Sequence, residues 1–100
     1  MLYLFQLIYI MFVSVACEFS NDDHRKAVQE LLKQYGFSEI LSDFFESVKI
    51  IEKDLARLKR DIDRSTDYYD KIRIYQYPLD DTLIITALEN KRWRRIIIKK

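Results

Sequence analysis

One hundred residues, 49% apolar and 33% charged, fit a single small domain with a core large enough to fold alone. One glycine and one proline exclude low-complexity and disordered classes, and one cysteine with one histidine excludes a disulfide-stapled scaffold and a structural zinc site within one chain. The formal net charge of +1 exerts no global pull on a polyanion, so any such partner must be held by a local concentration of charge.

The first feature along the chain is a charge-free run from Met1 to Cys17 that ends on Glu18. It is shorter than the roughly 20 apolar residues that a membrane span needs. No Lys or Arg precedes Arg25, which argues against a signal peptide. Ser14 to Cys17 resembles a bacterial lipoprotein cleavage site, with Ser where Leu is usual. The run is therefore either a buried strand that delivers a carboxylate to the polar turn Ser20-Asn21-Asp22-Asp23, or an export segment. Met11 offers a second start, which would leave Met1 to Ile10 as an extension ahead of a domain spanning 11–100.

Phe12 to Phe19 reads as a strand, rich in β-branched and aromatic residues. Asn21 or Asp22 then caps a helix from about Asp23 to Tyr35, with Ala27, Val28, Leu31, Leu32 and Tyr35 at apolar spacing and Gly36 as its left-handed stop. Phe37 to Val48 predicts one long strand or two short ones with a break near Ser42-Asp43. A second helix is predicted over Ile51 to Arg64. Its apolar stripe is Ile51, Leu55, Leu58 and Ile62, and a basic stripe of Lys53, Arg57, Arg60 and Arg64 lies nearly opposite. Lys71 to Tyr77 alternates as a strand closed by Pro78. Leu83 to Leu88 and Arg92 to Ile98 form two more strands around the turn Glu89-Asn90-Lys91. This order predicts an α+β fold, a ferredoxin-like split βαβ sandwich with an added C-terminal hairpin and both helices on one sheet face.

The residues from Met11 to Asp23, the Tyr35-Gly36-Phe37 helix end, Phe45-Glu46 and Ile72-Arg73-Ile74-Tyr75 resemble the CRISPR-associated Cas-two family. Its members show a first strand ending in Tyr-Asp-Ile, an acidic turn, a basic helix closing on Tyr-Gly, a strand ending in Val-Phe-Glu and a late Arg-Ile-Tyr strand. The resemblance implies a cytoplasmic homodimer, with no membrane association, that bridges subunits of the CRISPR-associated integrase during spacer acquisition. It also implies contact with DNA or RNA, and for some members a magnesium-dependent endonuclease. In that chemistry two strand-end aspartates hold Mg2+ across the dimer. Here the matching position is Glu18, the expected catalytic and metal-binding residue, and the side chain is one methylene longer. The Ser-Val-Phe-Glu stretch is also only half kept, as Asp43-Phe44-Phe45-Glu46.

Nucleic acid is expected on Arg25 and Lys26 of the first helix, on Lys53, Arg57, Arg60 and Arg64 of the second, and on Lys91, Arg92, Arg94 and Arg95, where Trp93 adds an aromatic plane. The competing reading of the helix stripe is a solvated face paired to Asp54, Asp61 and Asp63; that of the tail is a charged edge strand with Ile96 to Ile98 packed below. Asp22 and Asp23 read as first-turn residues, His24 as an exposed side chain with a general acid-base role open to it, and Cys17 as an inert strand thiol. An exported or lipid-anchored protein, modified at Cys17, is the third reading.

Overall fold

The computed structural model describes residues 10–77 and 81–99. In chain order these form β1 (Ile10–Glu18), α1 (Asp22–Gln34), β2 (Ser38–Leu41), β3 (Phe44–Ile51), α2 (Glu52–Arg64), β4 (Lys71–Tyr77), β5 (Thr82–Glu89) and β6 (Arg92–Lys99). The strands make one sheet in the order β2-β3-β1-β4-β5-β6, with every neighbouring pair antiparallel. This is an α+β fold compatible with a ferredoxin-like sandwich whose β4 edge is extended by a hairpin.

Local chemistry sets the element ends. Asn21 adopts an extended backbone and its side chain accepts the His24 N–H at 2.9 Å, so Asn21 is the N-cap of α1. At the other end Phe37 N–H reaches Leu32 O at 2.9 Å and Gly36 N–H reaches Lys33 O at 3.0 Å, a Schellman closure around a glycine at φ +87°. A side chain at Gly36 would have room, since its nearest neighbour would be Lys49 Cε at 3.9 Å; the backbone angle alone requires glycine. The break expected near Ser42-Asp43 is a turn with Asp43 at φ 59°. The β5–β6 turn narrows to Asn90-Lys91, both at positive φ, the two-residue geometry whose twist suits a hairpin.

In an antiparallel pair, residues directly opposite share a face. Val13, Val15 and Cys17 therefore lie with Phe45, Ile72 and Ile74 on the face that both helices cover. Val28 and Leu32 of α1 and Leu55, Leu58 and Ile62 of α2 close that core, each at 0–2% exposure. At about 1.5–3 kcal/mol per fully buried side chain, this cluster is the main stabilising element of the fold. The Tyr35 hydroxyl, donating to Asp61 Oδ2 at 2.8 Å, ties the end of α1 to α2.

Several boundaries and burials differ from expectation. β1 begins at Ile10, which pairs with Ile51, two residues ahead of the expected strand start at Phe12; residues 1–9 and Pro78 lie outside the described residues. Ile51 ends β3 and serves as the N-cap of α2 without a side-chain cap. Ala27 is exposed, because α1 rests on a narrower stripe than its apolar spacing suggested. Ile97 and Ile98 are half exposed rather than packed below the tail, since β6 is the outer strand and Ile98, opposite Leu83, lies on the sheet face away from the helices.

The opposite sheet face carries Phe12, Phe44, Tyr75, Tyr77, Ile85 and Ile96. Phe12 and Tyr77 lie with ring centroids 5.4 Å apart. Among the described residues no helix is long and apolar enough to cross a membrane.

Candidate nucleic-acid interface

The basic residues of α2 are exposed along its length, because Leu55, Leu58 and Ile62 turn the other side of the helix into the core. Ion pairing does not absorb them. Arg64 stands 4.0 Å from Asp61, but Lys53, Arg57 and Arg60 form no ion pair among the described residues. All four are solvated, and the pairing expected with Asp54, Asp61 and Asp63 is seen for Arg64.

The second half of α2 is tied to the β5–β6 hairpin. Lys59 Nζ donates to Thr86 Oγ1 at 3.4 Å, and Trp93 Nε1 donates to Asp63 Oδ1 at 3.2 Å. Between helix and hairpin lies a groove of about 390 Å3 lined by Lys59, Arg60, Thr86, Trp93, Arg94 and Arg95. The fold thus joins two sets that are separate in sequence, the helix stripe through Arg60 and the tail through Trp93 and Arg95, whereas Arg94, opposite Ala87, turns its side chain to the other sheet face. Lys59 was not foreseen, because it falls outside the 4-3-4 row. Burial, with Arg95 beside it, lowers the Lys59 pKa from its ordinary value, and Glu52 opposes this only in part.

Other expected contacts are spent on the fold. Arg25 turns onto Asp43, with Nε to Oδ1 at 3.1 Å, pairs with Asp22 and sits over the Phe19 ring at 5.9 Å. Lys91 donates to the backbone carbonyls of Asp63 and Thr66, the latter at 2.8 Å, placing a cation at the C-terminus of α2 where the helix dipole favours one. Lys26 remains exposed and has no ion pair among the described residues. Arg92 is exposed on the far side of β6 from the groove, opposite Glu89.

Glu18 ends β1 on the face away from the helices, directly opposite Lys71. Its carboxylate is 3.7 Å from Lys71 Nζ and 76% exposed. A shallow depression of about 290 Å3 beside it is lined by Ala16, Lys71, Arg73, Ala87 and Glu89. One chain brings two carboxylates to this rim, Glu18 and Glu89, and both already face the Lys71 ammonium, at 3.7 and 3.9 Å. A magnesium centre there fits only if a second copy supplies another Glu18.

A different cluster forms at the same end of the sheet. Asp70, fully buried ahead of β4, accepts from Ser20 N–H at 2.7 Å and Ser20 Oγ at 2.9 Å through Oδ1. Through Oδ2 it accepts from Asp67 N–H at 2.8 Å and contacts His24 Nδ1 at 2.7 Å. Burial pushes the Asp70 pKa upward, yet these hydrogen bonds outweigh it and hold the carboxyl below its ordinary range. His24 is only partly exposed, in contrast to the expected surface side chain. His24, Asp67 and Asp70 bring potential ligand atoms within 4.8 Å of one another. Asp70 Oδ1 is taken by Ser20 and Oδ2 by Asp67 N–H and His24 Nδ1, so the cluster acts as a clamp between the β1–α1 turn and the loop before β4.

Cys17 is half-buried within β1, and burial, reinforced by Asp43 and Glu39, raises its thiol pKa. Cleavage ahead of Cys17, which lipid anchoring there requires, would strip Met11, Val13 and Val15 from the core. No family model, curated protein or solved structure matches the chain, so its functional reading rests on these residues and their geometry.

Proposed function

We propose that this chain binds nucleic-acid backbones without reading sequence, as the adaptation subunit of a CRISPR system that bridges integrase subunits and holds duplex DNA. The observation that carries the reading is the union of Lys59 and Arg60 with Arg95 in one groove, with Lys53 and Arg57 exposed on the same helix. Arginine and lysine on a continuous surface suit phosphates, and their affinity falls steeply as salt rises because binding releases condensed counterions. In this reading the protein is a ferredoxin-like homodimer in the cytoplasm. A second copy covers the open sheet face, where Glu18, Glu46 and Glu89 alternate with Lys71, Arg73 and Arg94 in a self-complementary pattern.

A salt titration of duplex binding tests the proposal. The logarithm of the binding constant is expected to fall linearly with the logarithm of salt, by about 0.9 per phosphate contact, and equally for unrelated sequences. Binding that ignores salt, or no complex with a CRISPR integrase when both proteins are folded, counts against it.

The position of Glu18 at the end of the central strand favours a second reading, a magnesium-dependent endonuclease acting on RNA or DNA. Its residues would be Glu18 from each copy, with magnesium supplying charge stabilisation at the phosphodiester. The extra methylene moves each carboxylate by about 1 Å, a displacement that can cost about a hundredfold in rate. Glu18→Asp is therefore expected to raise magnesium-dependent cleavage above the level of the natural chain. Equal and robust cleavage by both proteins would defeat this reading of Glu18.

A further inference from the structure

The groove between α2 and β6 is built for more than a backbone. It carries Lys59, Arg60 and Arg95 against one carboxylate, Asp63, which is occupied by Trp93 Nε1 at 3.2 Å and by Lys91 Nζ at 3.6 Å. Lys59 is partly buried, and its ammonium has a neutral partner, Thr86 Oγ1, with no carboxylate paired to it among the described residues. A desolvated cation beside a second cation lowers its free energy by taking an anion. The remaining wall is Trp93, packed against the core and pinned at its ring nitrogen by Asp63. An aromatic plane held beside an unneutralised ammonium is complementary to a base and its phosphate.

We infer that this groove takes one unpaired nucleotide of a single-stranded nucleic acid, its base against Trp93 and its phosphate between Lys59 and Arg95. The inference rests on the backbone-binding reading above and adds the strand state. A base within a duplex is stacked and paired, and cannot lie on Trp93 without leaving the helix. A free mononucleotide would leave Arg60 unused, whereas a strand lays a neighbouring phosphate over it. The chain's single tryptophan makes the contact directly observable.

The test is a titration of Trp93 emission in the full chain with four probes: a short mixed-sequence single strand, the same strand with abasic sugars, its blunt duplex, and a nucleoside monophosphate. The single strand is expected to quench Trp93 and to bind about tenfold more tightly than the abasic strand, within the range that base–aromatic stacking supports. Lys59→Met should weaken the single strand several-fold with its thermal unfolding midpoint preserved. If the duplex binds while intact and abasic strands bind alike and leave Trp93 unquenched, the inference is overturned and the backbone reading stands. If the monophosphate binds as tightly as the strand, the strand assignment fails. If no nucleic acid binds, both readings fall together.

Discussion

Asp70→Asn is expected to lower the thermal unfolding midpoint by about 10–30 °C. The carboxylate is fully buried and makes four polar contacts of 2.7–2.9 Å. An asparagine keeps the shape but offers one oxygen and one amide nitrogen, so the donors facing one side of the group lose their acceptor. Hydrogen bonds to a charged group are worth about 1.5–3 kcal/mol each, and leaving buried donors unmatched adds to the loss, which together suggests about 2–4 kcal/mol. A domain of this size shifts its midpoint by about 4–8 °C per kcal/mol. The effect should vanish in acid. Because the folded-state pKa is depressed, the stabilisation from Asp70 is fully present above the ordinary carboxylate value near 3.9 and is lost as pH falls through the folded value. The natural chain and the variant are thus expected to differ in midpoint at neutral pH and to converge well below pH 4. Equal midpoints at neutral pH would show that the clamp is not what holds the β1–α1 turn to β4.

Much of the architecture was readable because it depends on local period and punctuation. Lys71 to Tyr77 alternates without interruption, and β4 has those bounds. Leu55, Leu58 and Ile62 recur at helical spacing, and all three are buried. Gly36 ends α1 because no other residue adopts its backbone angle without strain. What escaped the sequence depends on contacts distant along the chain. Asp70 meets Ser20 and His24 from 50 and 46 residues away, and nothing in its neighbours distinguishes it from Asp67. Lys91 looked like one more tail cation until the hairpin brought it to the last carbonyls of α2. Arg25 looked like a phosphate contact until the β2–β3 turn placed Asp43 beside it. In the interface, charge type was legible and charge availability was not, because which cations are already neutralised is a property of tertiary structure.

That distinction sets the second large expected effect. Arg57 and Arg60 are exposed and lack ion pairs among the described residues, and Arg60 lines the groove. Reversing both to Glu removes two phosphate contacts and adds two repulsions. Duplex affinity at low salt is expected to drop on the order of a hundredfold, with the salt dependence shallower by about 1.8, two contacts at about 0.9 each. The loss should be the same for unrelated sequences, because backbone contacts carry no sequence information. Exposed, unpaired side chains contribute little to folding, so stability should change by no more than about 0.5 kcal/mol. Arg25→Glu offers the contrast. It disrupts the pairing with Asp43 and Asp22 and should reduce stability while leaving the salt slope in place. If the α2 reversal left affinity intact and Arg25→Glu abolished it, the interface would have to move from the α2–β6 groove to the start of α1.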